Sequence, residues 1–173
     1  TETYGHVVEC LWNSAWDDFE EDAQSAIKAR QGIAMPMMDM TTVVDQRGVQ
    51  IPMDGSTQGE IVMRGNSVMK GYYKNPSATE KAFSGGYFHS EDIAIQHPNG
   101  MMQIADRMKD IIISGGENIS SIEVEGAIMA HPAVSLCAVV AKPDDKWGEV
   151  PCAFVELLPD HTSSEGEIIS FVR

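Results

Sequence analysis

Between residues 41 and 107 every apolar run is short and ends on a turn signal. "TTVVD" (41–45), "GEIVMRG" (59–65) and "SEDIAIQ" (90–96) alternate or are β-branched, and Arg47-Gly48, Asp54-Gly55, Ser84-Gly85-Gly86 and Asn99-Gly100 punctuate them. A helix needs an apolar stripe sustained over several turns, whereas short period-two runs satisfy only strands. Asn-Gly supplies the positive φ angles of a tight turn, so "EDIAIQHPNGMMQIADR" is the clearest hairpin. Strands of this length and spacing predict a small, antiparallel, barrel-like unit over about residues 40–105. The polar stretch 12–30 reads as a surface excursion with a short helix around 20–29.

The pattern changes after Lys109. "DIIIS" reads as a short buried strand and "GGEN" as a turn. Ser120 and Glu123 form a capping box that opens a helix ending before His131-Pro132. "AVSLCAVVA" (133–141) and "CAFVELL" (152–158) read as strands joined by the turn "KPDDKWGEVP", and a last helix follows Ser164. The fold class expected is therefore α+β. The barrel-like unit closes a first domain, residues 1–105; a hinge spans 106–110, and a small α+β domain fills 111–173.

The formal net charge of −14 argues against nucleic-acid and anionic-membrane partners, which call for basic stripes. No apolar run approaches the length of a membrane span. Cys10, Cys137 and Cys152 are odd in number and far apart, which speaks against a disulfide framework and for a reducing, cytoplasmic setting. His6, His89, His97, His131 and His161 have no metal-ligand spacing. A homo-oligomer is compatible with the sequence.

Several residues carry potential chemistry at the domain boundary. Asp92 and Arg107 flank one hairpin. They form either a strand-end ion pair or a carboxylate and a guanidinium that bind ribose hydroxyls. "SGGEN" is either an ordinary turn or a loop that lets a ligand approach the backbone; it is not a Walker loop. Trp147 either packs or stacks on a base. The eleven methionines fill gaps in a core or line an acyl pocket. Spacing alone leaves each choice open.

Taken in order, the motifs resemble the adenylate-forming superfamily of acyl-CoA synthetases, peptide-synthetase adenylation domains and luciferases. "TETYG" resembles the end of its Tyr-Gly-x-Thr-Glu motif, and "GEIVMRGNSVMKGYYKNPSATEKAF" its barrel segment. "GYFHSEDIA" is similar to Gly-Trp-Phe-His-Thr-Gly-Asp. "DRMKDIIISGGENISSIEVE" is similar to its interdomain joint, and "HPAVSLCAVVAKPDDKWGEVPCAFVEL" continues the match. The Gly-Gly-Glu-Asn loop resembles the CoA synthetases most.

The resemblance implies a role for each matching position. Thr1 would contact a phosphate of ATP and Glu2 would help hold Mg²⁺; Asp92 and Arg107 would bind the ribose. Lys109 occupies the pivot between adenylation and thioester formation. Gly115 and Gly116 would line the pantetheine tunnel, and Trp147 would flank the CoA nucleotide. The expected function is ATP-dependent conversion of a carboxylic acid, fatty or small organic, to its CoA thioester. The partners would be the acid, ATP and CoA.

Three departures stand out. Glu91 replaces a Gly, adding negative charge near a polyphosphate; Asp106 replaces a Gly common before the Arg. The family's phosphate loop lies before Thr1 and its adenylation lysine beyond Arg173. The chain also starts without Met and stops inside a helical pattern, so the expectation is a piece of a longer ligase, inactive alone. The competing readings are a non-catalytic nucleotide- or partner-binding module and a peptide-synthetase adenylation domain.

Overall fold

The computed structural model describes residues 1–172. The chain divides into two compact units, Thr1–Ile104 and Ala105–Arg173.

In the first unit, β1 (Val8–Glu9) pairs with β2 (Ile33–Ala34), and α1 (Glu21–Lys28) lies between them in sequence. An antiparallel sheet follows, built from β3 (Met38–Val44), β4 (Gln58–Gly65), β5 (Phe88–Gln96) and β6 (Met102–Arg107), with α2 (Pro76–Ala82) between β4 and β5. The strands lie in chain order because each connection is a turn or short excursion that returns to the neighbouring edge. Alternation places Val43 and Ile61 on one face, where they bury against Ile51, Ala94 and Met102. Val62, on the opposite face, is also fully buried, so both faces of the β3–β4 pair are covered.

The antiparallel unit expected near residues 40–105 is present, but the sheet stays open and no barrel closes among the described residues. Beside β6 runs the backbone of Gln31 and Gly32; Met102 N–H donates to the Gly32 carbonyl at 2.7 Å. Helix α2 escaped the sequence reading, although Asn75 before Pro76 is a start signal. Asn75 Oδ1 accepts from the Ala78 N–H at 3.2 Å, and proline at the first position costs no backbone bond.

The second unit holds β7 (Ile112–Ser114), β8 (Glu117–Ile119), α3 (Ser121–Met129), β9 (Val134–Asp144), β10 (Gly148–Leu157) and α4 (Glu165–Val172). Its antiparallel sheet runs β8-β7-β10-β9. Ile112, Cys137 and Val139 from the sheet bury with Ile128 of α3, and Ile168 and Val172 of α4 pack against them. Fully burying Ile112 contributes about 1.5–3 kcal/mol.

Two boundaries differ from the sequence reading. Glu117 and Asn118 belong to β8, and only Gly115 and Gly116 form the turn. Their φ angles of +60° and +91° suit a two-residue hairpin whose twist matches its strands. "KPDDKWGEVP" is mostly strand, with Lys142 opposite Val150 and Asp144 opposite Gly148. Asp144 Oδ1 accepts from the N–H groups of Lys146 and Trp147 at 2.9 Å each, which closes the turn over so few residues that the strands run up to it. Met38, Met101 and Met102 are buried in the first unit as core fillers.

Candidate functional site

Within the first unit, the opening segment lies beside the loop after β4. Thr3 bridges to Val68, Tyr4 N–H donates to the Ser67 carbonyl at 2.7 Å, and Met69 N–H donates to the Glu2 carbonyl at 2.8 Å. Thr1 is exposed and Glu2 half-buried. Burial, then the charges of Glu2 and Glu91 and a hydrogen bond to Glu2, push the Tyr72 hydroxyl above its ordinary pKa. The charges of Glu2 and Glu91, the neighbour of Asp92, are thus both felt at one phenol. Tyr72 was absent from the sequence reading; its only signal is a place in "KGYYKNP", and its partners are distant in the chain.

Asp92 sits in β5, half-buried, and its N–H donates to Ser90 Oγ at 3.1 Å. Glu91 beside it is exposed, with a φ of +61°, and its carboxylate lies 3.5 Å from Lys81 Nζ. That lysine opposes the added negative charge, weakly because both groups are solvated.

Strand β6 runs across the boundary between the two units, and its last residue, Arg107, belongs to the second. The turn after it holds Lys109, exposed, and Asp110 N–H donates back to the Arg107 carbonyl at 2.9 Å. Asp106, which the sequence presents only as a replacement for Gly, is 2% exposed and caps α3. Its Oδ2 accepts from Ser121 N–H at 2.6 Å, Ser120 Oγ at 3.0 Å and Ser121 Oγ at 3.1 Å.

Gly115, Gly116 and Trp147 share one corner of this unit. Gly115 N–H donates to the Trp147 carbonyl at 2.8 Å, and a Cβ on Gly115 would sit 2.7 Å from the indole. Gly115 is thus required by packing against Trp147 as well as by its positive φ, whereas a Cβ on Gly116 would meet nothing within 4 Å. Trp147 remains 48% exposed, with Lys146 Nζ 4.4 Å from its ring centroid. The Lys146 ammonium lies over the ring in a cation–π contact, and the rest of the indole surface that Gly115 does not cover faces solvent.

No group of three or more His, Cys, Asp or Glu among the described residues could hold a metal ion by itself. No helix among them is long and apolar enough to cross a membrane. An open recess of about 490 Å³ in the first unit, lined by Leu11, Trp12, Trp16 and Met101 among others, includes none of the expected site residues.

Residues 123–173 match the AMP-binding enzyme C-terminal domain. The chain is 51% identical over 171 residues to an acetate–CoA ligase of Humulus lupulus, covering 98% of this chain and 30% of that protein. It is 52% identical over 162 residues to a peroxisomal acetate/butyrate–CoA ligase of Arabidopsis thaliana, covering 93% and 28%. Among solved structures, the o-succinylbenzoate CoA synthetase of Bacillus subtilis in complex with its acyl-adenylate matches with a TM-score of 0.77 at 28% identity, over 98% of this chain and 33% of that one. An amide bond synthetase from Marinactinospora thermotolerans matches with a TM-score of 0.77 at 29% identity, over 87% and 30%. Residues 123–173 thus belong to the AMP-binding C-terminal domain family, and the chain as a whole is a relative of the adenylate-forming enzymes. It spans about 30% of the length of the curated relatives it matches.

Proposed function

We propose that the chain is part of an ATP-dependent acyl-CoA synthetase. The observation that carries this reading is 51–52% identity over nearly the whole chain to two proteins named CoA ligases. In the reaction proposed, a carboxylate oxygen attacks the α-phosphorus of ATP and pyrophosphate leaves. The thiol sulfur of CoA then attacks the acyl carbonyl, the bond to AMP breaks, and the thiol proton passes to solvent.

Asp92 would accept hydrogen bonds from the ribose diol and Arg107 would donate to ribose or phosphate oxygens. Thr1 would contact a phosphate. A single carboxylate at Glu2 suits Mg²⁺ that arrives with ATP, since that ion takes most of its ligands from phosphate and water. Bound there, Mg²⁺ would neutralise phosphate charge. Lys109 is the proposed pivot, supported by its exposure in a turn where little packing resists a change of φ and ψ. Gly115, Gly116 and Trp147 would meet CoA, and the exposed indole supports that role.

The substrates would be a fatty or small organic acid, ATP and CoA. Three free cysteines support a reducing compartment. The protein would then reside in the cytosol; the peroxisome, in the name of one relative, is the other outcome that imaging of the tagged protein distinguishes. The test is AMP release by the full-length protein across a panel of carboxylic acids, with and without CoA. CoA-dependent AMP release with one or more acids is expected. Release that occurs equally with an amine acceptor and no CoA would favour an amide synthetase, the activity named for one structural relative. No release with any acid would favour a non-catalytic module.

A further inference from the structure

Strand β5 carries two residues too many where it passes β4. Glu60 pairs with Ile93 and Val62 with His89, so the partners lie two residues apart on β4 and four apart on β5. Ser90, Glu91 and Asp92 occupy the resulting bulge, which re-aims a strand locally. Glu91 adopts a φ of +61°, a region that residues with side chains avoid, so this backbone must be held by its surroundings.

The hold comes from side chains. Glu60 uses both carboxylate oxygens: Oε1 accepts from the Glu91 N–H at 3.0 Å, and Oε2 lies 2.7 Å from His89 Nδ1. The far side of that imidazole is anchored as well, with Nε2 3.1 Å from the Ser84 carbonyl. Ser90 Oγ donates to the Ile61 carbonyl at 2.9 Å and accepts from the Asp92 N–H at 3.1 Å. The Glu60 side chain is only 16% exposed and that of His89 28%. A carboxylate so enclosed within a strand is costly unless its oxygens are bonded, and here both are spent on the bulge.

We propose that Glu60, with His89 and Ser90, positions Asp92 for its nucleotide. Glu60 fixes the Ser90–Glu91 peptide, Ser90 fixes the next one through the amide of Asp92 itself, and His89 fixes Glu60. This rests on the reading that Asp92 binds the ribose diol. Hydrogen-bond recognition of a diol fails when the acceptor shifts by a fraction of an ångström, so loosening the bulge weakens the grip without touching ligand.

The experiment compares kcat/KM for ATP and for 2′-deoxy-ATP in the full-length protein, at saturating acid and CoA. Variants are Asp92→Ala, Glu60→Gln, the double variant and Ser90→Ala. Asp92→Ala is expected to lower the preference for ATP by about tenfold or more, the loss of bonds to a charged group. Glu60→Gln keeps the side-chain size but places an amide against a donor. It is expected to lower the preference by about three- to tenfold, leaving the KM for the acid within about twofold. The double variant should be no worse than Asp92→Ala alone, because Glu60 acts through Asp92. Ser90→Ala should shift the preference in the same direction and serves if Glu60→Gln does not fold. If Asp92→Ala loses the preference while Glu60→Gln and Ser90→Ala retain it, the positioning role is overturned and ribose binding stands. If Asp92→Ala itself retains it, the ribose reading fails and the positioning role with it.

Discussion

Replacing Asp106 with Ala should destabilise the second unit severely, and the size of the effect follows from its partners. The carboxylate is buried and accepts from Ser121 N–H, Ser121 Oγ and Ser120 Oγ through Oδ2, and from the Arg107 N–H at 2.7 Å through Oδ1. Ser120 and Ser121 are themselves buried. Ser120 Oγ keeps a second acceptor, the Ala105 carbonyl at 3.0 Å, so its loss is partial. The Ser121 N–H and hydroxyl lose their bonds to Asp106, at about 1–3 kcal/mol for each buried donor left unpaired. The sum is about 2–6 kcal/mol, which brackets the roughly 3–5 kcal/mol that removing one member of a buried charged pair costs. Asp106→Asn retains one carbonyl oxygen and should lose about half as much. Urea unfolding read at Trp147, with Trp12 and Trp16 replaced by Phe so that only the second unit reports, measures both. The midpoint should fall with an unchanged slope. A loss below about 1 kcal/mol for Asp106→Ala would refute the cap as the main fastening of α3.

Gly115→Ala forces a Cβ to within 2.7 Å of the Trp147 ring at a φ of +60°, and should cost about 1–3 kcal/mol and shift the Trp147 emission; Gly116→Ala, with open space around it, should cost less. The Ser164 N–H and hydroxyl hold the Glu167 carboxyl below its ordinary value of 4.5. Its contribution to α4 is present above 4.5 and is lost as pH falls through the lower folded-state value. Glu167→Gln should therefore weaken the helix at pH 7, and the gap to the parent protein should narrow below pH 4.5, as hydrogen exchange of the α4 amides would measure. Lys109→Pro in the full-length protein should slow thioester formation while sparing acid-dependent pyrophosphate exchange; equal loss in both assays would remove Lys109 from the pivot.

The amino-acid sequence by itself determined the features whose partners lie within a few residues. The Ser120–Glu123 and Ser164–Glu167 caps, the Asn99-Gly100 turn and the Gly115-Gly116 turn are all legible, because a turn or a cap is closed by its own neighbours. Its ordered motifs also carried the resemblance to adenylate-forming enzymes, and with it the candidate site residues. Only the tertiary structure decided which of these residues meet. Glu60 reaches Glu91 across 31 positions, Asp106 reaches Ser121 across 15, and Gly115 fits Trp147 because strands distant in sequence are paired in space. The two extra residues in β5 have no local signature: a bulge is a mismatch between two strands, and it exists only once they are in register.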